Sequence, residues 1–104
     1  MTDAAASVPV RRLSDWDAAE LQALVEDYGS PLYVLDRERV RENYRRLETA
    51  FPDAEILYAV KANALGDVLS ALREAGAGLE CASAGEVQRA LEAGASGTEV
   101  HYTA

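Results

Sequence analysis

The run Gly66-Asp67-Val68-x-x-Ala71-Leu72 recurs 19 residues later as Gly85-Glu86-Val87-x-x-Ala90-Leu91, and both runs lead into Glu-Ala-Gly-Ala. A βα unit repeated at so short an interval cannot bury its apolar face alone and must lean on its neighbour, as in a barrel or a solenoid. The apolar pattern predicts strands over Ile56–Ala62, Gly78–Ala82 and Val100–Thr103, with helices over Asp67–Ala75 and Glu86–Ala93. A βαβαβ order needs crossover connections, hence parallel strands with the helices outside the sheet. Gly76 and Gly94 stand where a left-handed residue closes a helix. The expected fold class is therefore α/β. A complete enzyme barrel would take roughly 250 residues, more than the 104 present. Tyr102-Thr103-Ala104 reads as a cut at about the third strand, with no closing element.

Upstream of the repeat the style differs. Residues 1–13 read as a loose polar lead, and Ser14-Asp15-Trp16-Asp17 resembles a capping box that starts a helix reaching Tyr28. Gly29-Ser30-Pro31 should stop it. Leu32-Tyr33-Val34-Leu35 is expected to be a short strand, and Asp36 to cap a second helix whose Val40, Tyr44 and Leu47 fall on one stripe. Phe51-Pro52-Asp53 closes that helix. The expected organisation is a lead and helix over 1–29 and a partial barrel domain over 30–104.

Charge narrows the partners. There are 18 acidic residues against 10 basic ones, and nine of the ten are arginine, which leaves Lys61 as the single lysine. A net charge of −8 speaks against nucleic acid and anionic membrane as partners. The same balance fits a salt-adapted or G+C-rich source, and is also ordinary for a cytosolic protein. The opening Met1 to Ser7 lacks the positive start and apolar stretch of a secretory signal. No apolar run approaches the roughly 20 residues of a membrane span. A lone Cys81 and a lone His101 offer neither an internal disulfide nor metal-ligand spacing. The cytoplasm is the expected location.

Strand alternation over Glu55–Asn63 would put Ile56, Tyr58, Val60 and Ala62 under the helices, and Leu57, Ala59, Lys61 and Asn63 on the opposite, interior face. Lys61 would then stand beside small Ala59 at the carboxyl end of a parallel strand, the end at which barrel enzymes place catalytic groups. An isolated buried ammonium is costly. Schiff-base chemistry supplies a reason for one, because an amine in a low-dielectric pocket attacks an aldehyde readily. Position alone also allows a lysine that snorkels from the strand end into solvent. Ser83 and Glu86 have capping-box spacing, a structural role. Cys81 should face the helices as a small buried apolar group, and His101 is read as a surface or packing residue, although a ring there could stack on a cofactor.

Three motifs occur in order: Ser30-Pro31-Leu32-Tyr33-Val34-Leu35-Asp36, Tyr58-Ala59-Val60-Lys61-Ala62-Asn63 and Glu80-Cys81-Ala82-Ser83-Ala84-Gly85-Glu86. Together they resemble the alanine-racemase-fold decarboxylases, the ornithine/diaminopimelate/arginine decarboxylase family, with its diaminopimelate branch nearest in pattern. The resemblance runs from about Gly29 to Ala104. It implies a pyridoxal-phosphate-binding (β/α)8 barrel followed by a β-domain, active sites shared across a homodimer, and Lys61 as the lysine that carries the cofactor as a Schiff base. It implies decarboxylation of a diamino or basic amino acid, with meso-2,6-diaminopimelate giving L-lysine as the leading expectation and the chain inactive by itself. The family usually has an acid, most often aspartate, where Glu80 stands. Glu80 shares its strand face with Gly78 and Ala82, so it can point toward Lys61 and favour a protonated nitrogen there; the alternative is an ordinary exposed strand residue. Ala59, Glu80 and Lys61 are thus the expected cofactor contacts.

Rivals within the fold are ornithine, arginine and carboxynorspermidine decarboxylases and amino-acid racemases. A racemase usually continues Val-Lys-Ala-Asn-Ala-Tyr-Gly-His, whereas here Ala64 is followed by Leu65-Gly66-Asp67. A cofactor-carrier barrel normally differs around its lysine. A different class is a non-catalytic α/β module whose open sheet edge would be prone to aggregate.

Overall fold

The computed structural model of the chain describes residues 16–103. Within them the elements follow as α1 (Ala18–Tyr28), α2 (Arg37–Ala50), β1 (Leu57–Ala59), α3 (Gly66–Ala75), β2 (Gly78–Cys81), α4 (Ala84–Glu92) and β3 (Val100–Tyr102). The strands form one parallel sheet in the order β1-β2-β3, with Leu57 opposite Gly78, Ala59 opposite Glu80, and Glu80 opposite His101.

Helix ends follow from local chemistry. Asp17 accepts from the Ala19 amide, Asp36 from those of Glu38 and Arg39, and Ser83 from that of Glu86, each satisfying an otherwise orphaned N–H. Ser14, the cap expected for α1, lies outside the described residues, and Asp17 takes the capping role instead. The Glu-Ala-Gly-Ala repeat is a repeated helix stop. Gly76 and Gly94 adopt φ of +113° and +98°, after which the amides of Ala77 and Ala95 reach back to the carbonyls of Leu72 and Ala90 at 3.0 and 3.1 Å. This six-to-one bond is the Schellman closure, and it turns both alanines into the protein interior, at 2 % and 7 % exposure.

Val60, Leu69, Leu79, Cys81 and Ala90 are all fully buried and form one cluster that joins α3 and α4 to a single face of the sheet. A second cluster of Tyr44, Val68, Leu72 and Ala77, flanked by Val40 and Ile56, fastens α2 onto α3. Its rim is ionic: Arg37 reaches Asp67 and Glu74 at 3.7 and 3.5 Å, and Arg41 reaches Glu74 at 3.4 Å. Half-exposed pairs of this kind contribute little each, so apolar contact holds α2 in place. Leu47, expected on the same stripe as Val40 and Tyr44, stays 50 % exposed.

Two expected strands differ from the structure. Leu32–Leu35 is not a strand: it pairs with no other strand among the described residues, and Tyr33 is completely exposed. Leu32 and Leu35, with Trp16, Leu24 and Tyr28, instead line an open groove of about 560 Å³. The strand expected over Ile56–Ala62 is confined to Leu57–Ala59, after which Val60–Ala62 winds into a 3₁₀ turn. No helix among the described residues is long and apolar enough to cross a membrane.

Leu79→Ala removes a side chain with no exposed surface at the centre of the sheet–helix cluster. It is expected to cost about 2–5 kcal/mol, read as a lower urea midpoint at unchanged slope.

Candidate active site at the carboxyl end of the sheet

The segment Tyr58–Leu65 builds the site. Val60 buries its side chain completely under the helices, and this pull ends β1 and starts the turn that carries Lys61. Beyond the turn, the Tyr58 hydroxyl donates to the Asn63 carbonyl at 3.0 Å, while Asn63 Oδ1 accepts from the Leu65 amide at 3.0 Å. The first bond ties the end of the turn back to the strand. The second is an Asx-type turn leading into α3. Burial pushes the Tyr58 hydroxyl above the usual phenol range, keeping it protonated and able to donate. Lys61 therefore sits on a short arch pinned by a buried valine on one side and a tyrosine–asparagine bond on the other.

Strand phase places the remaining groups. Leu79 and Cys81 enter the buried cluster, so Gly78 and Glu80 face the opposite side of β2. Ala59 and His101 flank Glu80 in register, which makes Ala59–Glu80–His101 a row across the sheet two residues before Lys61. Glu80 is half-buried.

Lys61 itself is exposed, and no hydrogen bond or ion pair to it is found among the described residues. The low-dielectric pocket expected around it is thus not supplied by these residues. Nor does Lys61 continue the strand's alternation, because a 3₁₀ turn repeats every three residues and not every two. Its presence at the carboxyl end of β1 is as expected; its place on the interior face of a strand is not.

Cys81 faces the helices as expected, with no exposed surface, and burial first, then the charges of Glu86 and Glu80, push its thiol up. Ser83 and Glu86 form the predicted cap, with one change: the Glu86 carboxylate accepts from the Ala82 amide at 2.9 Å, one residue before the usual box position. The Ala82 and Glu86 amides are thereby satisfied, and the loop beyond Glu80 is held at two points. His101 packs toward the start of β1, its Nε2 3.7 Å from Glu55 Oε1, a pairing that no sequence spacing signalled.

The family described as "Pyridoxal-dependent decarboxylase, pyridoxal binding domain" matches residues 37–104, from the start of α2 through β3. The chain belongs to this family. Among its relatives is the diaminopimelate decarboxylase of Methanothermobacter thermautotrophicus, 43% identical over 89 residues, which cover 82% of this chain and 21% of that protein. The diaminopimelate decarboxylase of Deinococcus radiodurans is 44% identical over 77 residues, 74% of this chain and 20% of its own. The lysine/ornithine decarboxylase of Selenomonas ruminantium is 34% identical over 83 residues, 80% of this chain and 21% of its own. The chain spans about a fifth of the length of these curated relatives.

Membership in a pyridoxal-binding family gives the Lys61 arch its context: the matched region contains the whole sheet and both crossover helices. Two measurements check the geometry. Tyr58→Phe removes the hydroxyl that holds Asn63 and is expected to cost about 1 kcal/mol, with faster amide exchange at Leu65. Cys81 is expected to resist thiol reagents in the folded protein and to react only on unfolding, so a fast-reacting native thiol would contradict its burial.

Proposed function

We propose that Lys61 is the covalent anchor of pyridoxal phosphate, that Ala59 and Glu80 line the cofactor's site, and that the intact protein decarboxylates meso-2,6-diaminopimelate to L-lysine. The observation that carries this reading is the pinned, exposed Lys61 arch at the carboxyl end of β1, inside the region matched by the pyridoxal-binding family. The residues suit the group. An exposed primary amine is open to an aldehyde, Ala59 keeps bulk off the adjacent face, and Glu80 brings a carboxylate to the same row.

Pyridoxal phosphate, when bound, supplies a ring that takes up the electron pair left behind as carbon dioxide departs. The chain's own residues do the rest. Lys61 Nζ holds the cofactor, and the Tyr58–Asn63 and Val60 anchors limit the movement of that nitrogen. The Glu80 carboxylate favours a proton on a neighbouring nitrogen over a bare one. The extra methylene of Glu80, relative to the aspartate common in the resemblance, reaches further from β2 for the same task.

In this reading residues 30–104 are part of a (β/α)8 barrel in a cytoplasmic homodimer, preceded by the lead and helix of residues 1–29. The parallel sheet with both crossover helices on one face supports a barrel arc. Diaminopimelate is preferred as substrate because both the Methanothermobacter and the Deinococcus relatives carry that name. The Selenomonas relative favours lysine or ornithine as the second reading.

Borohydride reduction of the intact protein with pyridoxal phosphate is expected to add one pyridoxyl mass to the peptide holding Lys61, and Lys61→Arg to remove both that adduct and the cofactor absorbance. An adduct elsewhere, or none, would overturn the assignment. Carbon dioxide release from diaminopimelate, but not from ornithine or lysine, is the expected substrate profile.

A further inference from the structure

Gly78 is buried although it lies on the sheet face opposite the one that α3 and α4 pack against. A Cβ added there would stand 2.5 Å from Leu57 Cδ2 and 3.4 Å from both Cδ2 and Nε2 of His101. Side chains from β1 and β3 therefore converge over the middle strand, in the volume that any other residue at 78 would need. The interiors of parallel barrels are filled this way, each layer taking its side chains from alternate strands. His101 is drawn toward the amino end of the sheet, with its Nε2 3.7 Å from Glu55 Oε1.

We infer that Leu57, Gly78 and His101 form a floor beneath the cofactor site, in which Gly78 is the residue that lets the floor close. The inference rests on the placement of that site at Lys61, Ala59 and Glu80. Ala59 and Glu80 follow Leu57 and Gly78 along the same face, so the floor lies one side-chain layer nearer the amino end of the strands; His101, level with Glu80 in register, leans into it from β3. A side chain at 78 forces Leu57 to move, and Ala59 and Glu80 are its next neighbours along that face. His101 is on this account a positioning residue: it supports the layer below the site and does not meet the reacting groups. The absence of a side chain at 78 also sets how deep the site is.

The test uses the intact protein, with cofactor affinity followed by absorbance titration and folding followed by a thermal midpoint without cofactor. Gly78→Ala is expected to bind pyridoxal phosphate about tenfold more weakly, from overpacking. Adding Leu57→Ala removes the clashing methyl and is expected to restore affinity to within about threefold. Rescue separates a raised floor from a general loss of stability. A folded Gly78→Ala protein with unchanged affinity would overturn the inference, as would a double variant no better than the single one. Should Gly78→Ala fail to fold, His101→Ala replaces it: a weaker affinity in folded protein supports the floor, an unchanged one removes it. If the wild type carries no adduct at Lys61, the functional reading itself falls. The floor is then judged by nuclear Overhauser contacts from the His101 ring to the Leu57 methyls and Gly78 Hα, whose absence would end it too.

Discussion

One face of a parallel sheet must be buried under its own crossover helices, and everything else in this molecule is arranged by that requirement. Leu79 and Cys81 are pulled into contact with Leu69 of α3 and Ala90 of α4 until none retains exposed surface. Strict alternation along a strand then leaves no choice for the residues between them: Gly78 and Glu80 go to the other face. Parallel pairing places Ala59 on one side of Glu80 and His101 on the other. The polar row beside Lys61 is in this sense a by-product of burying four apolar side chains.

The arch that carries Lys61 uses the same burial differently. Val60 is as deeply buried as Leu79, but it lies past the last ladder pair, so its burial bends the chain instead of extending the strand. Tyr58 and Asn63 then fasten the bend. The motif Tyr58-Ala59-Val60-Lys61-Ala62-Asn63 can be read as a mechanical unit, in which Tyr58, Val60 and Asn63 hold the arch and Lys61 is left exposed. That division explains why Lys61 has no partner among the described residues while its neighbours on both sides are anchored.

Much of the local structure was legible in advance because it depends on contacts a few residues apart. The caps at Asp36 and Ser83, the glycine stops at Gly76 and Gly94, and the buried, outward phase of Cys81 all follow from side-chain chemistry and period. Legibility failed where a partner was needed. Leu32–Leu35 has strand composition, but a strand exists only where another lies beside it. Leu47 has helical spacing from Tyr44, yet half of it stays exposed. Lys61 stands at the carboxyl end of β1, as the pattern predicts, but on a 3₁₀ turn and not in the strand, since periodicity does not reveal where a ladder stops.

The sequence by itself determined the βαβαβ order from β1 onward, the parallel sheet, the glycine helix stops and the identity of the candidate anchor, because each is written in short-range pattern or in a motif of several ordered residues. Only the tertiary structure decided that Lys61 rides on a turn, that Glu80 lies between Ala59 and His101, and that two side chains close over Gly78. Those facts depend on register and on which atoms meet across strands some 20 residues apart in the chain. A one-residue slip would have preserved every local signal and exchanged the two faces, so packing, not propensity, selected the arrangement.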